Sequence, residues 1–425
     1  MKKYVLVGAS GRVLDMYARP IKERFADCAK VVGIFDVNPL RAKKIKEMAG
    51  LDCNVYTDFD RMLKETRPDV SIITTIDRFH HLYIIKSLEA DLDAIVEKPM
   101  TIDAKKCNAI LEAEKKTGKK VVVTFNYRFT PYTTRIKELI REGVVGKILN
   151  VHFEWLLDTF HGADYFRRWH RKMENSGGLL VHKATHHFDL INWWLEEEPE
   201  QVAAFGSLRF YGPTRKQRGE RCLTCKHKKT CGFYFDLTKS DIMKKFYLDT
   251  DIMKKLYLDT ESADNYFRDR CVFADEIDIY DTMSVNVKYS GGAFLSYSLT
   301  AHSPYEGWKA SINGAKGRLE IAEYHSGMKV AEPVLYISLY NRKGEKIEYT
   351  TLKATGGHGG GDERLQEMLF QGGIPDPLNH QAGSYAGATS ILTGIAANES
   401  IKSGKTIRIK DLVPLDKYKR SHSRG

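Results

Sequence analysis

The chain has 425 residues, more than one ordinary hydrophobic core accommodates, and this length predicts two domains. Its composition, with 42% hydrophobic and 28% charged residues, is that of a globular protein. No apolar run approaches the ~18 residues of a membrane span, and the N-terminus lacks the long apolar core of a signal peptide. We therefore expect a cytoplasmic protein and exclude membrane-embedded functions.

The formal net charge of +11 is concentrated in two places. Basic residues crowd the stretch from Arg215 to Lys229, and the tail from Lys417 holds the second group. Because this surplus does not extend over a groove-sized face, solvated surface explains it better than a polyanion site does. A cofactor-sensing protein that binds nucleic acid through the first patch is the alternative from another functional class.

Short runs rich in Val and Ile alternate with amphipathic stretches over the first part of the chain. Each run is typical of a buried parallel strand, and one intervening stretch, Asp103–Thr117, ends at the helix terminator Gly118. The alternation predicts a doubly wound parallel α/β sheet over residues 1–125. The runs are Tyr4–Gly8, Val31–Asp36, Val70–Thr75, Ala94–Pro99 and Val121–Arg128.

After Arg128 the pattern changes to longer strands separated by hairpin signals. These signals are YSGGAF, from Tyr289, and NRKGE, from Asn341. Helical patterns follow at 362–371 and 383–403. Residues 126–425 are therefore predicted to form an α+β domain with a large, mostly antiparallel open sheet, interrupted by a cysteine-containing insertion at about 211–275.

A ten-residue repeat lies inside that insertion. DIMKKFYLDT at 241–250 is followed directly by DIMKKLYLDT at 251–260. Ten residues are not a whole number of helical turns, so the apolar face would rotate by about 80° from one copy to the next. We interpret the repeat as a duplication tolerated within a surface insertion and attach no function to it.

The turn after the first strand, VGASGRV at 7–13, gives the first chemical signal. Gly8 holds the first position of a dinucleotide-binding G-x-G-x-x-G turn, and Gly11 lies within it. Ser10 and Val13 occupy the second and third glycine positions. In such a turn the backbone approaches a pyrophosphate that sits on the amides of the next helix, so Arg12 is also a predicted cofactor contact.

Asp36 closes the second predicted strand, where a carboxylate accepts hydrogen bonds from the adenosine ribose hydroxyls. A carboxylate at this position repels a 2′-phosphate, and the sequence therefore favours NAD over NADP. Arg41 lies close by in the sequence and could bind a 2′-phosphate, so NADP remains the alternative cofactor.

Glu97-Lys98-Pro99 follows the fourth strand, at the edge where ligands bind in open α/β sheets. With this tripeptide the sequence resembles the Gfo/Idh/MocA family, named after glucose-fructose oxidoreductase, inositol dehydrogenase and rhizopine catabolism. The resemblance covers nearly the whole chain. Its other segments are TTIDRFH at 74–80, NYRF from Asn126, GGLLVHKATHHFD at 177–189 and GIAANESIKSGK at 394–405.

The resemblance implies a nicotinamide-dependent enzyme that transfers hydride to or from a hydroxyl of a sugar, polyol or glycoside. A second activity in the same family keeps NAD bound and eliminates a glycosidic bond after transient oxidation, with no net redox change. The resemblance also implies a homodimer or homotetramer formed through the open face of the second sheet.

In that family the E-K-P lysine reaches the reacting hydroxyl, and a D-x-x-x-H segment supplies the acid–base pair. Lys98 matches the lysine and His186 the histidine, while His182 stands at the aspartate position. A fixed ammonium stabilises developing alkoxide character, and a neutral imidazole takes the proton. Two imidazoles four residues apart on a helix could also bind a metal ion. Further ligands for such an ion would be His302, His358 and Asp362.

The remaining predicted contacts follow from the same resemblance and from residue chemistry. Aromatic rings stack on the apolar faces of sugars, and charged groups bind their hydroxyls. The further cofactor contacts are Thr75, His80, Glu97, Lys98 and Asn126. The predicted substrate contacts are Arg128, Lys183 and His358, within a wider set of candidates comprising Tyr127, Trp155, Tyr165, Trp169, His170, Tyr305 and Glu306.

The cysteines of the insertion form a separate pattern. Cys222 and Cys225 are a C-x-x-C pair, Cys231 follows six residues later, and Cys271 lies beyond the repeat. Four thiolates suit a tetrahedral structural zinc site, and simple reduced cysteines are the alternative. The cysteines of the first domain, which are Cys28, Cys53 and Cys107, are interpreted as buried or free thiols.

Overall fold

A computed structural model describes residues 1–239, 250–327, 330 and 333–419. Residues 241–249 of the first repeat copy and the end of the basic tail therefore lie outside the described residues. Among the described residues, no helix combines the length and apolar character that crossing a bilayer requires.

The N-terminal part is built on a parallel sheet with strand order β3-β2-β1-β4-β5-β6. This is the predicted doubly wound arrangement, and the prediction of an α/β fold is confirmed. A short strand from the end of the chain, β15, pairs with β6 in the antiparallel sense. The strands are β1 Lys2–Val7, β2 Ala29–Phe35, β3 Asn54–Tyr56, β4 Val70–Ile73, β5 Asp93–Val96, β6 Val121–Val123 and β15 Ala382–Gly383.

The last predicted strand of this sheet is shorter than expected. It ends at Val123, and the chain turns through a 3₁₀ segment at Asn126–Phe129. The amide of Asn126 donates to the carbonyl of Thr124, a turn hydrogen bond that removes these residues from the ladder. The turn directs the chain into the second domain.

Helices connect these strands. The first is continuous but changes from α to π geometry at Leu14–Ala18, and the predicted helix at 103–117 is observed between an Asp103 N-cap and Gly118. The helices are Gly11–Val13, Leu14–Ala18, Arg19–Glu23, Pro39–Met48, Phe59–Thr66, the 3₁₀ turn Asp77–Phe79, His80–Glu89 and Ala104–Thr117.

The second part contains a nine-stranded sheet in which β7 and β10 are parallel and the other neighbouring pairs are antiparallel. Both predicted hairpins are present, between β9 and β10 and between β13 and β14. The strand order is β14-β13-β12-β11-β7-β10-β9-β8-β16. The strands are β7 Ile148–Asp158, β8 Pro199–Ser207, β9 Thr282–Tyr289, β10 Phe294–Ser303, β11 Gly307–Gly314, β12 Gly317–Tyr324, β13 Val334–Asn341, β14 Lys346–Leu352 and β16 Ile407–Arg408.

One face of this sheet is covered and the other is open. Strand β9 alternates strictly between exposed and buried residues, as a half-buried strand does. Helix Ser384–Ser403 packs on β8 and also reaches β6, so it joins the two sheets. The helices are Pro131–Arg141, His161–Arg167, Trp169–Arg171 (3₁₀), Met173–Ser176, Leu179–His182, Thr185–Leu195, Gly361–Phe370, Ser384–Ser403, Ile409–Leu412 and Leu415–Tyr418 (3₁₀).

The insertion occupies the connection between β8 and β9. The second copy of its repeat is helical: helix Thr250–Met253, which begins at the last residue of the first copy, is followed by a π turn at Lys254–Leu258. Met253, Leu256 and Tyr257 are buried against the first domain, where the π turn packs on helix Pro39–Met48. The interpretation of the repeat as surface is therefore wrong for this copy, because its apolar residues recur at helical spacing and cover the first domain.

Candidate active site

A cleft of about 820 Å³ begins at the carboxyl ends of β1, β2, β4 and β5 and is closed by residues of the second domain. Its volume is within the range of natural small-ligand pockets. Most of the site residues predicted from sequence line it, whereas Gly11, Arg128 and Lys183 lie outside that lining. The predicted residues in the lining are Gly8, Ser10, Arg12, Asp36, Thr75, His80, Glu97, Lys98, Asn126, His182, His186 and His358.

The glycine turn lines the cleft through Gly8, Ala9, Ser10 and Arg12. Gly8 has φ of 103°, and a Cβ there would lie 2.9 Å from backbone atoms of Thr74 and Thr75. Only glycine fits without strain. Ser10 caps the following helix through its hydroxyl, and the Gly11 amide donates to the Tyr257 hydroxyl at 2.9 Å. The turn thus lies against the backbone at the end of β4, in the wall of the cleft, where the sequence predicts the pyrophosphate.

Asp36 lies where the sequence predicts the adenosine ribose. Its two oxygens accept from the amides of Ala9 and Asn38, at 2.6 and 2.7 Å, which fixes the carboxylate at the cleft wall. Arg41 is the residue that left NADP as a possible cofactor in the sequence analysis. Its guanidinium makes two hydrogen bonds to Asp264 of the insertion.

A charged network joins the two domains beneath the cleft. Arg12 donates to Glu97 at 2.7 Å and to both oxygens of Asp362, at 2.8 and 3.1 Å. The hydroxyl of Tyr17 also donates to Glu97, at 2.8 Å. Burial alone would raise the pKa of Asp362, but the charges of Arg12 and His358 hold it well below its ordinary value. Arg12 and Glu97 therefore act in domain docking as well as in lining the site.

Asn126 and His80 both line the cleft. The Asn126 amide donates to Asp362 at 2.7 Å, while its buried side-chain oxygen has no partner among the described residues. An unpaired buried acceptor is costly and fits a ligand that donates a hydrogen bond. The ring nitrogens of His80 lie 2.9 Å from the carbonyls of Thr75 and Pro99, so His80 ties these two loops together.

Lys98 enters the cleft directly after β5. Its ammonium donates to the backbone carbonyl of His182 at 3.1 Å, across the domain boundary. Burial lowers the pKa of Lys98 to about 8, and the positive charge of Lys183 acts in the same direction. The side chain is thus an ammonium group that can exchange its proton close to physiological pH.

His182, at the position of the family's aspartate, contacts a carboxylate from the other domain. Its Nδ1 lies 2.5 Å from Oδ2 of Asp77, and the two side chains are only 10% and 4% exposed. Burial raises the pKa of Asp77 well above its ordinary value and lowers the pKa of His182 well below its own. Because burial disfavours both charged forms, the pair shares one proton.

His186 lies on helix Thr185–Leu195, one turn beyond His182. Its ring centroid is 5.1 Å from that of Tyr127 and 6.2 Å from that of His358. The Nδ1 atom is buried without a hydrogen-bond partner among the described residues. Burial lowers the pKa of His186 well below its ordinary value, and the charge of Lys98 adds to this effect. The imidazole is therefore neutral at physiological pH.

The predicted substrate contacts have different surroundings. The Lys183 ammonium lies 4.5 Å from the centroid of the buried Trp155 ring. Arg128 donates to both oxygens of buried Asp189, at 2.7 and 2.6 Å, and to the carbonyl of Asn379 at 3.0 Å. These bonds commit the Arg128 guanidinium to the protein interior, and we do not propose it as a substrate contact. Of the wider set, Trp169 and His170 line the cleft.

The predicted metal sites are not supported. The four cysteines of the insertion line one small cavity, but an Arg215 nitrogen lies 2.8 Å from the Cys231 sulfur and an Arg167 nitrogen 3.5 Å from that of Cys222. None of the seven cysteines forms a disulfide. Within the described ranges, no group of three or more His, Cys, Asp or Glu side chains could hold a metal ion, at these cysteines or at His182 and His186. Guanidinium groups beside the sulfurs oppose a cation there.

Comparison with known proteins gives two family matches and several relatives. The models "Oxidoreductase family, NAD-binding Rossmann fold" and "Oxidoreductase family, C-terminal alpha/beta domain" match residues 2–125 and 137–409. YteT of Bacillus subtilis (strain 168), which has the provisional name of an oxidoreductase, is 40% identical over 433 residues, or 97% of this chain and 99% of that protein.

Relatives with assigned activities match about half of their own length. Inositol 2-dehydrogenase of Rhizobium meliloti (strain 1021) is 29% identical over 206 residues, 48% of this chain and 58% of that protein. The 2,7-anhydro-N-acetylneuraminate hydratase of Mediterraneibacter gnavus is 27% identical over 203 residues, 48% and 52% respectively. The solved complex of levoglucosan dehydrogenase with NADH and levoglucosan has the same fold, with a TM-score of 0.68, 18% identity and coverage of 96% and 99%.

The fold and the two matches define the class of protein: an oxidoreductase with an NAD-binding Rossmann domain. The chain belongs to the Gfo/Idh/MocA oxidoreductase family, which confirms the resemblance found in the sequence.

Three site residues were not predicted. Asp77 lies in the quoted TTIDRFH segment, directly after a buried strand, and its position at the carboxyl edge of the sheet was an available signal. Tyr257 and Asp264 come from the insertion, more than two hundred residues from the turn and helix that they contact. Local sequence patterns do not predict contacts between residues so far apart in the chain.

Proposed function

We propose that this protein is an NAD-dependent dehydrogenase that transfers hydride between the nicotinamide and a hydroxyl of a sugar, polyol or glycoside. The observation that carries the proposal is the meeting of Lys98 and His182 from separate domains, within the cleft that starts at the glycine turn. The activities named for the inositol dehydrogenase and levoglucosan dehydrogenase relatives support this substrate class.

The residues present fit a dinucleotide. The glycine turn, whose Gly8 and Ser10 line the cleft, suits the pyrophosphate, and Asp36 suits the ribose hydroxyls. The unpaired oxygen of Asn126 suits a donor such as the carboxamide of the nicotinamide. When bound, the dinucleotide supplies the hydride acceptor or donor.

The protein groups supply charge and proton transfer. The Lys98 ammonium stabilises negative charge as it develops on the reacting oxygen, an effect that is strong where water is excluded. The neutral ring of His186 has the protonation state required to accept the hydroxyl proton. In the reverse direction the same two groups return the proton to a carbonyl oxygen.

The Asp77–His182 pair takes the place of the family's aspartate. Asp77 orients the His182 ring through Nδ1, which leaves Nε2 as the atom that can exchange a proton. The His182 carbonyl also positions the Lys98 ammonium, at 3.1 Å. His182 thus contributes in two ways: its ring can exchange a proton, and its backbone carbonyl positions Lys98.

A second candidate is cleavage of a glycosidic bond through a transient keto intermediate, without net redox change. The 2,7-anhydro-N-acetylneuraminate hydratase among the relatives supports it. Product formation without accumulation of NADH distinguishes it from dehydrogenation, because the hydride returns to the substrate in each cycle.

Initial-rate measurements test the proposal. The purified protein is incubated with NAD and a panel of polyols, aldoses and glycosides, and NADH absorbance and sugar products are both recorded. We expect NADH formation with at least one of them, and we expect Lys98→Met to reduce kcat by about a hundredfold or more. Lys105→Met, at an exposed position of the same domain, is the matched control and retains full activity. Absence of turnover and of NAD binding would overturn the proposal.

A further inference from the structure

The insertion forms a wall at the adenosine end of the cleft. Its Tyr257 hydroxyl accepts from the Gly11 amide, and the carbonyl of Thr260 accepts from the Asn38 side chain at 2.9 Å. Residues on both sides of these contacts are buried. The insertion therefore contacts the glycine turn at Gly11 and the segment that follows Asp36 at Asn38.

Arg41 is held by the same segment. Its Nη1 and Nη2 donate to the two oxygens of Asp264, at 2.8 and 3.1 Å, and its Nε donates to the carbonyl of Leu256 at 3.1 Å. The rings of Tyr257 and Tyr266 lie against its guanidinium, with centroids 5.6 and 5.4 Å away. The Arg41 side chain is only 7% exposed.

An arginine in this region would ordinarily bind a 2′-phosphate in a bidentate geometry, because guanidinium and phosphate match in shape and charge. Here Asp264 occupies that bidentate face of Arg41. Asp264 is also close enough to influence Asp36: burial raises the pKa of Asp36, and the negative charge of Asp264 adds to this effect. A phosphate dianion would thus meet two carboxylates and an arginine that is already paired.

We propose that Asp264 is a specificity-determining residue which, by pairing with Arg41, restricts the site to NAD and excludes NADP. The inference rests on the proposed binding of a nicotinamide dinucleotide. It assigns a function to the insertion: a segment of the second domain selects the cofactor bound by the first. Asp36 remains the group that binds the ribose hydroxyls.

Calorimetric titration of the full-length protein with NAD and with NADP tests the inference. For the wild type we expect tighter binding of NAD. In Asp264→Asn we expect the affinity for NADP to rise by about tenfold or more, since Arg41 becomes available and one negative charge is lost. The affinity for NAD changes by less than about threefold, because Asp36 is intact.

Two further variants isolate the effect. Asp259→Asn removes an exposed carboxylate from the same segment and is expected to leave the NAD-to-NADP ratio unchanged. The double variant Arg41→Gln/Asp264→Asn is expected to lose the gain in NADP affinity. If Asp264→Asn does not unfold cooperatively, and is therefore not properly folded, Asp264→Ser is used in its place.

The outcomes separate the two proposals. If the wild type binds neither dinucleotide, the proposed function fails. If the wild type binds NAD but a folded Asp264 variant keeps the wild-type NAD-to-NADP ratio, the role of Asp264 is refuted while the proposed function stands. An equal shift in Asp259→Asn would also refute it, because the effect would then be one of general charge.

Discussion

Replacing Asp77 by asparagine preserves the size of the side chain but removes its acidity. The carboxylate lies 2.5 Å from Nδ1 of His182, with both side chains almost fully buried. An amide in its place cannot share a proton with the ring, because the amide group is not acidic. The His182 ring then loses the orientation that leaves Nε2 available.

The magnitude follows from the kind of hydrogen bond that is lost. Disrupting a buried hydrogen bond so that one partner is left unsatisfied costs about 1–3 kcal/mol, and no discount for solvent screening applies at this burial. Since about 1.4 kcal/mol corresponds to a factor of ten, we expect kcat to fall about 5- to 150-fold. The NAD affinity is expected to stay within about twofold, because the Asp77 carboxylate is hydrogen-bonded to His182 and Asp36 is intact.

Steady-state kinetics on the best substrate of the panel measure this effect, together with a His182→Asn variant and the double variant. If the pair acts as a unit, removing both members costs little more than removing one. The kcat of the double variant is then within about twofold of the kcat of the slower single variant. Asp60→Asn, which removes a surface partner of Lys86, is the control. Wild-type kcat in Asp77→Asn, or independent and multiplicative effects of the two substitutions, would refute the reasoning.

Further predictions concern pH, stability and the glycine turn. Because the pKa of Lys98 is lowered to about 8, kcat/KM is expected to fall as the pH rises through that value, and the residual activity of Lys98→Arg lacks this limb of the pH profile. Arg128→Ala leaves Asp189 buried without its partner and is expected to destabilise the protein by about 3–5 kcal/mol in urea unfolding, with unchanged NAD affinity; a loss of substrate binding alone would instead make Arg128 a ligand. Gly8→Ala is expected to weaken NAD binding more than tenfold in calorimetry, as about 1.4 kcal/mol of steric conflict suffices. Gly50→Ala also has positive φ but open space around its Cβ, and equal losses in both variants would contradict the steric argument.

The parallel sheet was predictable because buried parallel strands are continuous apolar runs, and five of its strands appear as such. Strand β3 has only three residues, too few to show a pattern. The end of the sixth strand was misplaced because the apolar start of Val121–Arg128 resembles a longer strand. The strand stops at Val123, and the chain turns through Asn126–Phe129.

The site was predictable where chemistry is local. Short motifs singled out Lys98, His186 and the glycine turn, and all three line the cleft. The partners of these residues were not, because Asp77 and His182 are 105 residues apart and Arg12 and Asp362 are 350 apart. Arg128 shows the reverse error: an arginine beside a motif suggested a ligand contact, but its partner Asp189 lies 61 residues away.

A crystal structure of the protein with NAD bound tests the central claim most directly. The account predicts pyrophosphate at the Gly8 turn, the ribose at Asp36, and the nicotinamide ring between Lys98 and His186. A dinucleotide bound elsewhere, or a nicotinamide ring out of reach of both side chains, would contradict it.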